Sequence, residues 1–232
     1  MASDKPSAAE AVRRVLESEP CLRECLSRGV ASYAALARHI KPWVETLVGA
    51  PVTEHSVKMA LVRYRGAPGG EYIETPRRRV LEVLSKSSVE LRSGVAVITA
   101  YSKALPKALE VVSRLAGGSR LLLLLSGLTT FTLILGEEHL SDAVKALGGY
   151  VVKTYTRQAA VILVSPEDII GTPGVVAYIT GLLAREGVNI TQIESIHTDT
   201  ILIVREEQAM KALDAIHRAI KVAQQQVRAV QD

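Results

Sequence analysis

Apolar positions follow two rhythms along this 232-residue chain. Up to about residue 65 they recur at helical spacing. Ala11, Val12, Val15 and Leu16 mark a helix over 8–19. Pro20 opens a short helix running to Leu26, and Gly29 closes it. Ser32 caps a helix over 33–40, and Pro42, suited to a first helical turn, begins another through Val48. Gly49-Ala50-Pro51 interrupts the chain. Thr53 caps a helix reaching about Arg65, with Val57, Ala60, Leu61 and Tyr64 on its apolar face. Residues 66–70 read as a turn or flexible tip, 71–74 as a short strand, and 75–79, with Arg77, Arg78 and Arg79, as a basic linker or helix start.

After Ser87 the rhythm changes. Residues 89–101 are rich in strand formers, and 105–115 form an amphipathic helix ended by Gly117-Gly118. Strands follow at 121–125 and 129–135, then a helix over 140–147 stopped by Gly148-Gly149, then an alternating strand at 150–156. This β-α-β-β-α-β order then begins again. A strand at 159–164, a helix over 174–185 ended by Gly187, strands at 190–197 and 200–204, and a long helix over 208–224 repeat it without a sixth element. Such a split β-α-β places two helices on one face of a four-stranded antiparallel sheet.

Composition narrows the class. Apolar residues make up 48% of the chain, with one Phe and one Trp, so the cores are aliphatic. The first residues are polar, and the longest apolar runs, 121–125 and 159–164, fall far short of the ~20 residues of a membrane helix. A soluble, cytoplasmic protein is expected. Scarce Asn with abundant Glu, Arg and Leu points to a thermophilic source. Cys21 and Cys25 share a helix face without further ligands nearby and read as small, partly buried helix residues. The five histidines are scattered, so no metal or cofactor is expected. No phosphate-binding loop, nucleophile elbow or Cys–His pairing is present, and the chain reads as non-catalytic. Residues 1–86 hold 14 Lys and Arg against 10 Asp and Glu, and residues 87–232 hold 14 of each, so the basic surplus lies in the first third.

The stretch 171–190, GTPGVVAYITGLLAREGVNI, resembles the ACT domain, the amino-acid-sensing module of aspartokinases and many metabolic regulators. Pro173, Gly174, Val175, Gly187, Asn189 and Ile190 carry the resemblance over about 160–220. Residues 89–157 share only the order of elements, with Lys103-Ala104-Leu105-Pro106 where the Pro-Gly-Val would stand. The resemblance implies tandem modules lying side by side. Residues 30–65 also resemble a helix-turn-helix, with 41–52 as an inserted stretch and 66–70 near a wing. The expected fold is α+β: an all-helical, winged-helix-like domain (1–86), then two βαββαβ ferredoxin-like ACT modules (87–157 and 158–232).

Two sites follow. Thr172 as helix cap and Pro173 as first helical residue open a helix whose free N–H groups favour a carboxylate, and Gly174 lets a ligand approach the backbone beside Val175. Asn189 offers donors and acceptors to an amino or amide group, Asp168 with Glu167 pairs with an ammonium, and the resemblance adds Ile190 beside Asn189. A well-capped helix with no ligand reads equally from the same residues. Ser102 and Lys103 are the matching loop of the first repeat. On 53–65, His55, Lys58, Arg63 and Arg65 form a face for DNA phosphates or simply a solvated surface. The expected function is an amino-acid-sensing transcriptional regulator, with a regulatory or scaffold subunit docking on a separate enzyme as the alternative. Exposed sheet edges of such modules point to a homodimer.

Overall fold

Ser7 caps the first helix, α1 (Ala8–Ser18), its hydroxyl accepting the Glu10 N–H at 3.2 Å. The structure, a computed structural model, describes residues 5–65, 77–118 and 121–229. The chain divides into two compact units, Met1–Thr75 and Pro76–Asp232. The first holds α1, α2 (Pro20–Ser27), α3 (Tyr33–Val48) and α4 (Glu54–Arg65). Val12, Leu16, Leu26, Ile40, Val44, Val57 and Leu61 bury themselves in its single core. Cys21 and Cys25, expected to be partly buried, are both exposed.

The sequence predicts a helix break before Pro42, but α3 runs through it. Pro42 lacks an N–H, yet Leu36, Ala37, Ile40 and Val44 make one unbroken buried stripe across it. Burying that stripe outweighs the ~3 kcal/mol that an interior proline costs. The Thr46 hydroxyl also donates to the Pro42 carbonyl at 2.9 Å. Most of 41–52 is therefore helix, and the turn into α4 is short. Glu45 Oε1 pins that turn, accepting from Lys41 Nζ at 2.6 Å and the Val52 N–H at 3.0 Å. These two bonds, Lys41 first, hold the Glu45 carboxyl below its ordinary range. Gly49 ends α3 at φ 70°, a left-handed conformation suited to glycine. The described residues of this unit are helices and turns. The tip expected at 66–70, near a wing, and the strand expected at 71–74 lie outside the described residues.

The second unit opens with α5 (Arg77–Ser85). There follow β1 (Ser88–Tyr101), α6 (Leu105–Leu115), β2 (Leu123–Ser126), β3 (Thr130–Gly136), α7 (Leu140–Leu147) and β4 (Val151–Val164). The chain continues as α8 (Val175–Arg185), β5 (Ile190–Ile196), β6 (Asp199–Arg205) and α9 (Glu206–Arg228). All six strands form one antiparallel sheet in the order β2-β3-β1-β4-β6-β5. The boundary expected at 157/158 falls inside β4, which is continuous.

β1 and β4, 14 residues each, run antiparallel at the centre, and each bends at a positive φ: Gly94 at 68° and Arg157 at 50°. The bends divide the labour of each strand. Val95–Tyr101 of β1 pairs with β3, while Ser88–Arg92 lies against Val164–Ala160 of β4, whose other neighbour is β6. The sixth element missing from the second repeat is thus the first half of β1, drawn from ahead of the first repeat.

The sheet buries both faces, where the split β-α-β pattern predicts helices on one side only. Ala96, Ile98 and Leu133 pack under α6 and α7, and Val161, Leu163, Leu202 and Val204 under α5, α8 and α9. Between them Val97, Ile134, Ala160, Ile162 and Ile203 form a core on the opposite face, where the sheet curls on itself. Alanines at 209, 212, 215, 219 and 223 let α9 lie close.

Candidate functional site

The two strand-to-helix connections differ in length. After β1, a single 3-10 turn over Ser102–Ala104 leads straight into α6, and the Ser102 N–H donates to the Thr129 carbonyl at 3.0 Å. Lys103 is exposed there. After β4, the chain takes the longer route 165–174 before α8 begins. This second connection creates room on both its sides.

Its geometry revises the expected cap. The Thr172 hydroxyl donates back to the Asp168 carbonyl at 2.6 Å instead of capping the helix. Gly174 takes the cap position at φ 97°, Pro173 stays ahead of the helix, and no side chain caps α8. The first N–H groups of a helix so built carry partial positive charge outward.

On one side lies a mostly apolar hollow of about 570 Å³, walled by Ile169, Ile170, Pro173, Val176, Ser195 and His197. Thr172, Gly174 and Val175 complete it. Val175 is buried in the core, and Val176 and Ile170 are exposed. His197 sits at φ 52° in the β5–β6 turn, with Nε2 3.9 Å from Glu167 Oε1. On the other side lies a charged hollow of about 560 Å³, where Asp168 faces Lys86.

Four of the predicted ligand residues, Thr172, Pro173, Gly174 and Val175, come together here, and Asp168 lines the charged side. Asn189 and Ile190 do not join them. They follow the far end of α8, about 16 Å along an 11-residue helix at ~1.5 Å per residue. The exposed Asn189 donates its N–H to Gln208 Oε1 at 3.3 Å, and Gln208 Nε2 reaches the Gly187 carbonyl at 3.2 Å. Ile190 packs partly buried against the core. Sequence reasoning missed Ser195 and His197 as walls. Its available signal was the β5–β6 hairpin, which folds their strand end beside the helix start.

On α4, Val57, Ala60 and Leu61 are buried as the spacing predicts, and His55, Lys58 and Arg63 are exposed. Arg65 is engaged within its own unit. Its Nη1 donates to the Tyr33 hydroxyl at 3.1 Å, and its guanidinium lies over Gly29. Among the described residues no group of three or more His, Cys, Asp or Glu is placed to hold a metal, and no helix is long and apolar enough to cross a membrane.

Residues 153–218 match the ACT domain family, a span from within β4 to within α9 that contains the whole second connection. No curated protein matches the chain. Among solved structures, the chain is similar to the ligand-free regulatory subunit of aspartate kinase from Thermus thermophilus: 21% identity, TM-score 0.48, 56% of this chain and 95% of that one. The aspartate kinase of Clostridium acetobutylicum gives 18% identity and TM-score 0.49 over 57% of this chain. That of Synechocystis gives 20% identity and TM-score 0.49 over 73% of it. The chain spans about a third of these two kinases, 34% and 31%.

Proposed function

We propose that the protein is a ligand-responsive regulator whose effector, an amino acid, binds at the connection between β4 and α8. The observation that carries this reading is the ACT match at 153–218 falling on a connection with an uncapped helix start and hollows of ligand size. The second connection takes this role and the first does not, because 102–104 runs straight into α6. Among the described residues β5 pairs only with β6, and Ile193 and Ile196 are exposed on it, which supports pairing of two copies along that edge. The first unit is the output, with Lys58 and Arg63 of α4 as its contacts to DNA.

A thermal-shift screen of the full chain against the twenty amino acids tests the sensing role. A ligand bound only by the folded state raises stability by about 2.7 kcal/mol at a hundredfold excess over Kd. One amino acid, or a chemically related few, is expected to raise the midpoint. Val176→Arg, which places a long cation in the apolar hollow from an exposed position, is expected to remove that rise. No shift with any amino acid rejects this effector class.

A further inference from the structure

The charged hollow has one wall from α5 and one from the connection into α8. Arg79 and Glu82 of α5, and Lys86 just after it, face Glu167, Asp168 and Thr172. Among the described residues one ion pair crosses the gap, Lys86 Nζ to Asp168 Oδ2 at 3.6 Å, between side chains 63% and 67% exposed. Such an exposed pair contributes little and exchanges readily. Glu82 is held by Arg78 at 3.0 Å, whereas Arg79 has no ion pair or hydrogen bond among the described residues. Below the rim the two walls are tied. The buried Ser87 and Ser165 hydroxyls stand 3.0 Å apart, and Ser87 Oγ donates to the Val83 carbonyl at 2.8 Å. On its other side α5 buries Val80, Val83 and Leu84 in the core it shares with α8 and α9. Gln224 of α9 donates to the Ser85 carbonyl at 3.1 Å.

We infer that this hollow holds the zwitterionic head of a free α-amino acid, with α5 as the wall that responds to it. This rests on the sensing role proposed above and names where the head group sits. Arg79 and Lys86 take the carboxylate, for which a guanidinium offers paired donors. Asp168 and Glu167 take the ammonium. The ligand thus replaces the Lys86–Asp168 pair by two ion pairs of its own. The pinned base keeps the walls in register while the rim opens. Both hollows share Thr172, so a head group held here lets the ligand's side chain cross the connection toward Ile169, Ile170 and Val176. α5 is the first helix of the second unit.

The test is a titration of the full chain with whichever of the twenty amino acids shifts its melting midpoint, repeated on Lys86→Ala and Asp168→Asn. Both positions are exposed, so both variants are expected to keep the fold, and far-ultraviolet circular dichroism checks this. Each is expected to weaken Kd at least tenfold, the methyl ester and N-acetyl forms of the same amino acid are expected not to bind, and saturating amino acid is expected to slow amide exchange over 77–86. An unchanged Kd in both variants overturns this assignment and leaves the sensing role standing with its head-group site elsewhere. Absence of any shift in the unaltered protein overturns both.

Discussion

Glu10 sits between two guanidinium groups on the exposed side of α1. Its carboxylate accepts from Arg13 Nη2 at 2.7 Å and from Arg14 Nε at 2.9 Å. Arg13 first, and then Arg14, lower its pKa to about 2. An unfolded glutamate titrates at ~4.3. The folded value lies below the unfolded one, so this network favours the folded state above that pH, and its contribution is lost as pH falls from there through about 2. The groups are solvent-exposed, and the effect on stability is small. Carbon-detected NMR is expected to follow the Glu10 carboxylate to a midpoint far below the ~4.3 of an unfolded glutamate. Arg13→Ala is expected to raise the Glu10 midpoint, and a midpoint that stays put assigns the whole effect to Arg14. Arg65 shows the same chemistry put to another use. It looks like a free surface cation in the sequence, but its bond to Tyr33 spans α3 and α4, so it belongs to the scaffold of the first unit.

Among the elements, β1 and β4 decide the architecture of the second unit, and the bend in β4 falls on a residue that is not glycine. A left-handed backbone costs a residue with a Cβ about 1–2 kcal/mol. Arg157 holds it with its N–H donated to Glu137 Oε2 at 3.1 Å. Urea unfolding of the full chain is expected to show Arg157→Val less stable by about 1 kcal/mol, because branching at Cβ worsens the same clash, and Arg157→Gly at least as stable as the parent. Equal stabilities would mean that the neighbouring strands set the bend. The element order of this unit was legible, since glycine stops and alternating strands are local signals. The pairing of Ser88–Arg92 with the second half of β4 was not, because it joins positions some seventy residues apart and no local pattern encodes it. Pro42 misled for the opposite reason: a true local rule yielded to a continuous buried stripe. At the candidate site, Pro173-Gly174 announced the helix start, while Asn189 stood close in sequence but at the opposite helix end. Lys86 and Arg79 gave no signal, since their facing wall comes about eighty residues later.

On the scale of the whole molecule, the basic surplus does not follow the division into units. Residues 1–75 hold 10 Lys and Arg against 9 Asp and Glu, whereas 76–86 alone hold 4 against 1. Three of the four surplus charges that mark the first third of the sequence therefore belong to α5 and its flanks, in the second unit. The DNA reading of the first unit rests on local chemistry on α4 instead, where Lys58 and Arg63 are exposed and Arg65 is engaged. Two phosphate contacts per chain imply a shallow salt dependence, since each contributes ~0.9 to the slope of log affinity against log salt. Duplex binding by the full chain, measured across salt concentrations, is expected to lose about one phosphate's worth of slope in Lys58→Ala and again in Arg63→Ala. Arg65→Ala is expected to lower the melting temperature of the first unit with the slope unchanged. A slope that falls with Arg79→Ala but not with Lys58→Ala would move the nucleic-acid contact to α5, in competition with the amino-acid carboxylate, so that effector and DNA would exclude each other. No binding at low salt would make the first unit a protein-docking module, for which Trp43 and Leu47, both exposed on α3, are the anchors to mutate next.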